Sequence, residues 1–385
     1  MNNKNYISAT QLMLMAVASG LMFPFTVMPL VETPPYNQDI WISLLGAVFY
    51  LIIIAMPSLI LMNRFRGVTF NETNELILGK ILGKLSAVLF VLLFIACFYL
   101  CMATEVMFIA LVIMPKTPNW AILVCMLGPI SYAVYKGAGV IGRLAVFIAL
   151  YMIFNIIFFA IFGFHWVDFN NLRPVLADST FAQINQGAFL TASRYSEVLI
   201  FFVFSYFLSQ KASINKTFVK AIGIFAVCFL LMILCVLLVL GYDIAQANFN
   251  SYYTFTRQIS ISNFIEKIEA ISLSAWFPGS LLKLTIYNFM ACYVLSGIFK
   301  TKSHHGFVIP LSVSGLIFCL IPALTKTDFI LKMTSNQVML LMILPITFGV
   351  PLLLLIVYLW RRKKIGPILA QKKQERISQS AESSE

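Results

Sequence analysis

Ten apolar runs, each near the length of a helix that crosses a bilayer, govern what this chain can fold into. A membrane-spanning helix needs ~20 mostly apolar residues, and only helices or closed barrels satisfy their backbone amides in hydrocarbon. The runs lie near residues 8–31, 40–62, 84–114, 119–135, 140–163, 187–209, 218–241, 268–299, 306–325 and 338–360. The fourth is short, and the third and eighth are long enough to require tilt or a kink. Composition agrees: 60% of residues are hydrophobic, 11% are charged, and mean hydropathy is +0.90. The fold class is therefore an all-α polytopic membrane protein with ten transmembrane helices. The start does not read as a cleaved signal peptide, because Gly20 and Pro24 interrupt an overlong apolar run that only Lys4 precedes.

A net charge of +12 would suggest a nucleic-acid partner in a soluble chain. Here the basic residues cluster in short loops and a tail, so the lipid bilayer explains them and no nucleic acid is expected. With the N-terminus in the cytoplasm, 19 of the 27 Lys and Arg fall on the inside. They include Arg64, Arg66, Lys136, Arg143, Lys211, Lys300, Lys302 and seven in the tail after Trp360. Five fall outside, and Lys267, Arg194 and Lys283 lie at or within spans. That bias fits the positive-inside rule, and an even number of spans puts both termini in the cytoplasm. Residues 1–365 read as one transmembrane domain, with a first half near 8–163 and a second near 187–360. Residues 366–385 read as a basic, then polar, cytoplasmic tail without regular structure.

Enzyme chemistry and bound cofactors are not expected. The seven cysteines all fall in apolar runs. Cys97 and Cys101 share a helix face, but no histidine or carboxylate completes a metal set there, so core packing is their expected role. No P-loop, nucleophile elbow or HExxH motif occurs.

Two runs break the helix code. The first reads "ASGLMFPFTVMPLVETPP", with Gly20, Pro24 and Pro29; the sixth reads "NQGAFLTASRYSEVLIFF", with Gly187, Thr191, Ser193 and Ser196. Spans one and six correspond if the ten form two five-helix halves, and paired interrupted helices point to a transporter-type site at the midplane. Four charges also fall inside the bilayer: Glu105, Arg194, Glu197 and Lys283. Each costs at least ~2.5–3.5 kcal/mol on insertion scales unless paired or hydrated. Arg194 and Glu197 are one helical turn apart, a spacing that predicts a pair. Either the charges pin helices together, or they line a polar cavity that binds a zwitterion or carries protons. On the second reading, backbone groups freed near Gly20 and Thr191–Ser193 offer poles for the carboxylate and ammonium of an α-amino acid. Phe23, Phe25 and Tyr195 would close on its side chain. Glu197→Gln should then disturb function more than Glu32→Gln in an outer loop.

Longer motifs resemble one family. They are "ISATQL", "NELILGKILGKLSAVLFVLLFIACFYL", "NNLRPVL" followed by Glu197, and "FIEKIEAISLSAWFPGSLLKLTIYNF" with Glu266, Glu269, Trp276 and Lys283. Over roughly residues 5–365 the chain resembles the B subunits of nutrient-germinant receptors of endospore-forming bacteria (GerAB/GerKB-like). These are a divergent branch of the amino acid–polyamine–organocation transporters. The resemblance implies a LeuT-like 5+5 inverted repeat with spans one and six interrupted. It also implies a place in the inner spore membrane beside an A subunit and a lipoprotein C subunit, sensing an amino acid or other small nutrient to start germination. Glu197 occupies the family's acidic position in span six, and Lys283 matches a basic position in span eight. Arg194 matches no family motif, and "GLMFPF" is not the glycine-rich segment of amino-acid transporters. The rival expectation is a free-standing, proton-coupled amino acid transporter, which needs the same cavity.

Overall fold

The computed structural model describes residues 6–26, 33–209, 212–259 and 267–382. Lys4, Pro29, Glu32, Lys211 and Glu266 lie outside the described residues. Span one is α1 (Ala9–Thr26) and span two is α2 (Ile40–Arg64), followed by a short α3 (Phe70–Leu78). Span three is α4 (Lys80–Phe108), which ends in a π-helical turn over Ile109–Ile113. Spans four and five are α5 (Asn119–Lys136) and α6 (Ala138–Gly163). Span six is split into α7 (Phe181–Ser193) and α8 (Val198–Phe204). Span seven is α9 (Ile214–Leu240), and the short α10 (Tyr242–Ala247) and α11 (Ser251–Gln258) follow it. Spans eight and nine are α12 (Glu269–Ile298) and α13 (His305–Leu320), with α14 (Thr327–Thr334) after them. Span ten is α15 (Asn336–Leu344), a π-helical turn over Pro345–Gly349, and α16 (Val350–Glu382).

Among the described residues, eight helical stretches are long and apolar enough to cross a membrane. The 16-residue α13 and the 18-residue α5 complete the ten expected passages. Outward-facing Phe49, Phe147, Phe154 and Leu341 are exposed and apolar, which suits contact with lipid rather than water. Local chemistry sets the boundaries. A capping box starts α7: Thr180 Oγ1 accepts from the Gln183 amide while Gln183 Oε1 accepts from the Thr180 amide. Gly137 alone joins α5 to α6, at a φ of 87° that a side chain would strain.

Two contacts position the broken span. On one side, Ile7 lies in an isolated β-bridge with Leu208; its amide donates to Phe207 O at 2.9 Å and its carbonyl accepts from Ser209 N at 3.2 Å. The entrance of span one is thereby fixed to the exit of span six. On the other side, α7 lies close against α2. A Cβ on Gly187 would stand 2.0 Å from Pro34 O, and one on Gly46 would stand 2.9 Å from Ala188 Cβ.

Three expectations are corrected. Helix α1 is continuous through Gly20 to Thr26, so no break occurs at Gly20. Thr191 and Ser193 are helical, and the break in span six begins one residue later, at Arg194. The tail from residue 366, expected without regular structure, continues α16 as far as Glu382. The helix runs through the Gly366–Pro367 pair, a local stop signal, with the good helix formers Arg361–Lys364 before it.

Candidate functional site

The break in span six is a tight joint rather than a stretch of open backbone. The Arg194 amide donates to Thr191 O at 3.4 Å and the Tyr195 amide to Ala192 O at 3.2 Å. Past it, the Leu199 and Ile200 amides donate back to Ser196 O and Glu197 O at 2.9 and 3.0 Å. The freed backbone poles expected near Thr191–Ser193 are therefore largely absent, because short-range bonds satisfy these amides. The joint instead aims side chains inward. Arg194, Tyr195, Ser196 and Glu197 all line one cavity of about 80 Å³. Water needs roughly 10–15 Å³ on the same measure, so several waters or a compact solute fit.

The opposite walls come from four other spans. Span one supplies Met22, Phe23 and Thr26; span three supplies Cys97, Cys101, Thr104 and Glu105. Span eight supplies Lys283 and Tyr287, and span ten supplies Met339, Met342 and Ile343. All four intramembrane charges thus meet at one cavity. Two are positive and two negative, so the wall carries no formal net charge.

Glu197 is the hub. Lys283 Nζ lies 3.0 Å from Glu197 Oε1, and the two side chains are 9% and 10% exposed. The same oxygen accepts from Tyr287 OH at 3.3 Å and from Ser19 Oγ at 3.4 Å. Ser196 Oγ lies 2.7 Å from Tyr287 OH, and Cys97 Sγ lies 3.9 Å from Ser196 Oγ. Glu197 therefore pairs with Lys283 and not, as its spacing predicted, with Arg194. That spacing rule holds along a helix, and residues 194–197 stand between two helices. Arg194 instead places its guanidinium carbon 5.5 Å from the Phe23 ring centroid. Phe23 and Tyr195 meet edge to face at 6.0 Å. A second hub lies at Glu105, whose Oε1 accepts from Thr26 Oγ1 at 3.1 Å. Thr26 Oγ1 in turn accepts from Trp276 Nε1 at 3.0 Å.

Of the other expected contacts, Gly20 lines a neighbouring apolar pocket that also touches Tyr195 and Glu197, with Phe225 against it. Phe25 turns away to Tyr252, with ring centroids 4.8 Å apart. Pro24, Thr191 and Ser193 are buried outside the cavity wall, and Ser193 Oγ donates to Leu190 O at 2.8 Å. Cys97 packs in the core and Cys101 against it, as expected, and both also stand on the wall. Thr26, Thr104, Ser196 and Tyr287 were not singled out as site residues. Helical spacing carried a signal for several of them. Residues 97, 101 and 105 recur every four positions on α4, and residues 283 and 287 do so on α12.

Comparison with known proteins identifies the family and the fold. The sequence pattern of the family described as spore germination protein (Spore_permease) matches residues 6–328. Spore germination protein KB of Bacillus subtilis (strain 168) is 25% identical over 238 residues, 60% of this chain and 63% of the relative, a match that spans less than two thirds of that protein's length. Spore germination protein YndE of the same organism is 26% identical over 353 residues, 91% of this chain and 94% of the relative. Two solved transporters share the fold. Mhp1, a nucleobase-cation-symport-1 family transporter in a closed conformation with bromovinylhydantoin bound, superposes with a TM-score of 0.53 at 12% identity, covering 94% of this chain and 96% of that one. MhsT in complex with L-phenylalanine gives 0.55 at 15% identity, covering 91% and 97%. Identities this low carry fold and not chemistry. The fold is that of the LeuT-type transporters, and its ten passages make the protein a multi-pass membrane protein. The match over residues 6–328 decides the family: this chain is a member of the spore germination protein family of permease-like membrane proteins.

Proposed function

We propose that this protein is the nutrient-sensing subunit of an endospore germination receptor. It binds a small zwitterion, an amino acid above all, in the cavity at the break of span six. Binding shifts a conformational equilibrium that is read by an A-type membrane subunit and a lipoprotein C subunit. On this reading it lies in the inner spore membrane with both termini on the core side, and residues 8–163 and 187–360 act as its inverted halves. The observation that carries the proposal is the meeting of Glu105, Arg194, Glu197 and Lys283 on one small cavity. A neutral wall made of separate positive and negative groups suits a ligand that itself carries both signs. Buried polar atoms without a partner among the described residues, Glu105 Oε2 and Tyr195 OH, support a polar occupant.

The fold relatives, the transporter Mhp1 with bromovinylhydantoin bound and MhsT in complex with L-phenylalanine, favour a second reading: a free-standing, proton-coupled amino acid transporter. One experiment separates the two. Spores and vegetative cells of a deletion strain are compared with their parent for germination on single amino acids and for uptake of the same labelled amino acids. Loss of germination on one nutrient class with unchanged uptake is expected. Normal germination with lost uptake would instead establish the transporter.

A further inference from the structure

The two carboxylates on the cavity wall differ in what already occupies them. Glu197 Oε1 is engaged by Lys283, Tyr287 and Ser19. Glu105 is 4% exposed, and its Oε2 has no hydrogen-bond partner among the described residues. Its other oxygen is held firmly. Trp276 Nε1 donates to Thr26 Oγ1 at 3.0 Å, which directs the single hydroxyl proton of Thr26 to Glu105 Oε1 at 3.1 Å. Beside it, Thr104 sends its own proton back along α4 to Leu100 O at 2.8 Å, so its oxygen offers only lone pairs to the cavity. Glu105 Oε2 and Thr104 Oγ1 thus belong to two residues lining the same cavity, and neither atom receives a donor among the described residues. A buried carboxylate with an unoccupied oxygen is costly until a cationic donor reaches it.

We propose that Glu105 is the recognition point for the ligand's primary ammonium, with Thr104 as a second acceptor. The site then selects amine-bearing nutrients over molecules of the same shape that carry a hydroxyl in the amine's place. This deepens the zwitterion reading and rests on it. Thr26 and Trp276 are positioning residues, since they orient the carboxylate and need not touch the ligand.

The test uses the full chain purified in lipid nanodiscs and matched pairs of probes: L-alanine with L-lactate, L-valine with L-2-hydroxyisovalerate, and L-phenylalanine with L-phenyllactate. Binding is measured by calorimetry on the wild type, Glu105→Gln and Thr26→Val. The wild type should prefer the amino acid of at least one pair by ~10-fold or more, the scale of a hydrogen bond to a charged group. Glu105→Gln should bring that amino acid down to the level of its hydroxy acid and leave the hydroxy acid unchanged. Thr26→Val should keep part of the preference. If amino acids bind but Glu105→Gln keeps the preference, or weakens both members of a pair equally, the ammonium subsite is wrong and the zwitterion cavity stands. If no member of any pair binds, both are wrong. Should Glu105→Gln fail to fold, the wild-type pairs still decide, because equal affinity for amine and hydroxyl overturns the proposal.

Discussion

Glu197 and Glu105 face the same cavity from opposite situations. Glu197 stands where a helix stops, and three side chains from two other spans converge on one of its oxygens. Glu105 stands within an unbroken turn of α4, held on one oxygen by Thr26, with the other buried and without a hydrogen-bond partner among the described residues. The first arrangement is structural, since its ion pair ties span six to the middle of span eight. The second is the one to which we assign the ligand's ammonium. A buried carboxylate does not declare its role by being buried; its count of partners does so.

That contrast can be broken by mutation. The largest effect belongs to the ion pair. Lys283→Met or Glu197→Gln leaves one partner without its counter-group, at ~3–5 kcal/mol. Thermal unfolding in detergent should drop sharply for either, and Lys283→Met/Glu197→Leu together should recover much of the loss. Unchanged melting of the single variants would show that the pair holds nothing. Glu105→Gln comes next. It exchanges one hydrogen bond to Thr26 for a similar one, so its melting should move by no more than ~1 kcal/mol. A loss as large as that of Glu197→Gln would erase the distinction between the two carboxylates. Smallest is Ser19→Ala, which removes the 3.4 Å contact to Glu197. It should cost ~0.5 kcal/mol, and an effect above that of Glu105→Gln would make Ser19 part of the hub.

Much of this was legible in the residues. Span two, expected at 40–62, is Ile40–Arg64, and span five, expected at 140–163, is Ala138–Gly163, because apolar length alone sets such boundaries. The break in span six was also visible, within a residue or two, from the cluster Thr191–Ser196. The partner of Glu197 was not. Local spacing offered Arg194, whereas the choice of Lys283 depends on how α8 meets α12, which no short-range rule encodes. Thr26 and Thr104 were missed for a related reason: a small polar residue in an apolar helix has the same local signature whether it faces a cavity or a neighbouring helix. The π-helical turns at Ile109–Ile113 and Pro345–Gly349 carried no sequence signal that we recognise.

The seam between Ile7 and Leu208 has a mechanical consequence. It clamps the end of α8 to the start of α1, while Gly187 and Gly46 leave α7 no clearance from Pro34 and α2. Both arms of span six rest on α2, and only the second is also tied to span one, so residues 194–197 join two arms with different supports. A change at Tyr195 or Glu197 therefore meets unequal resistance on its two sides.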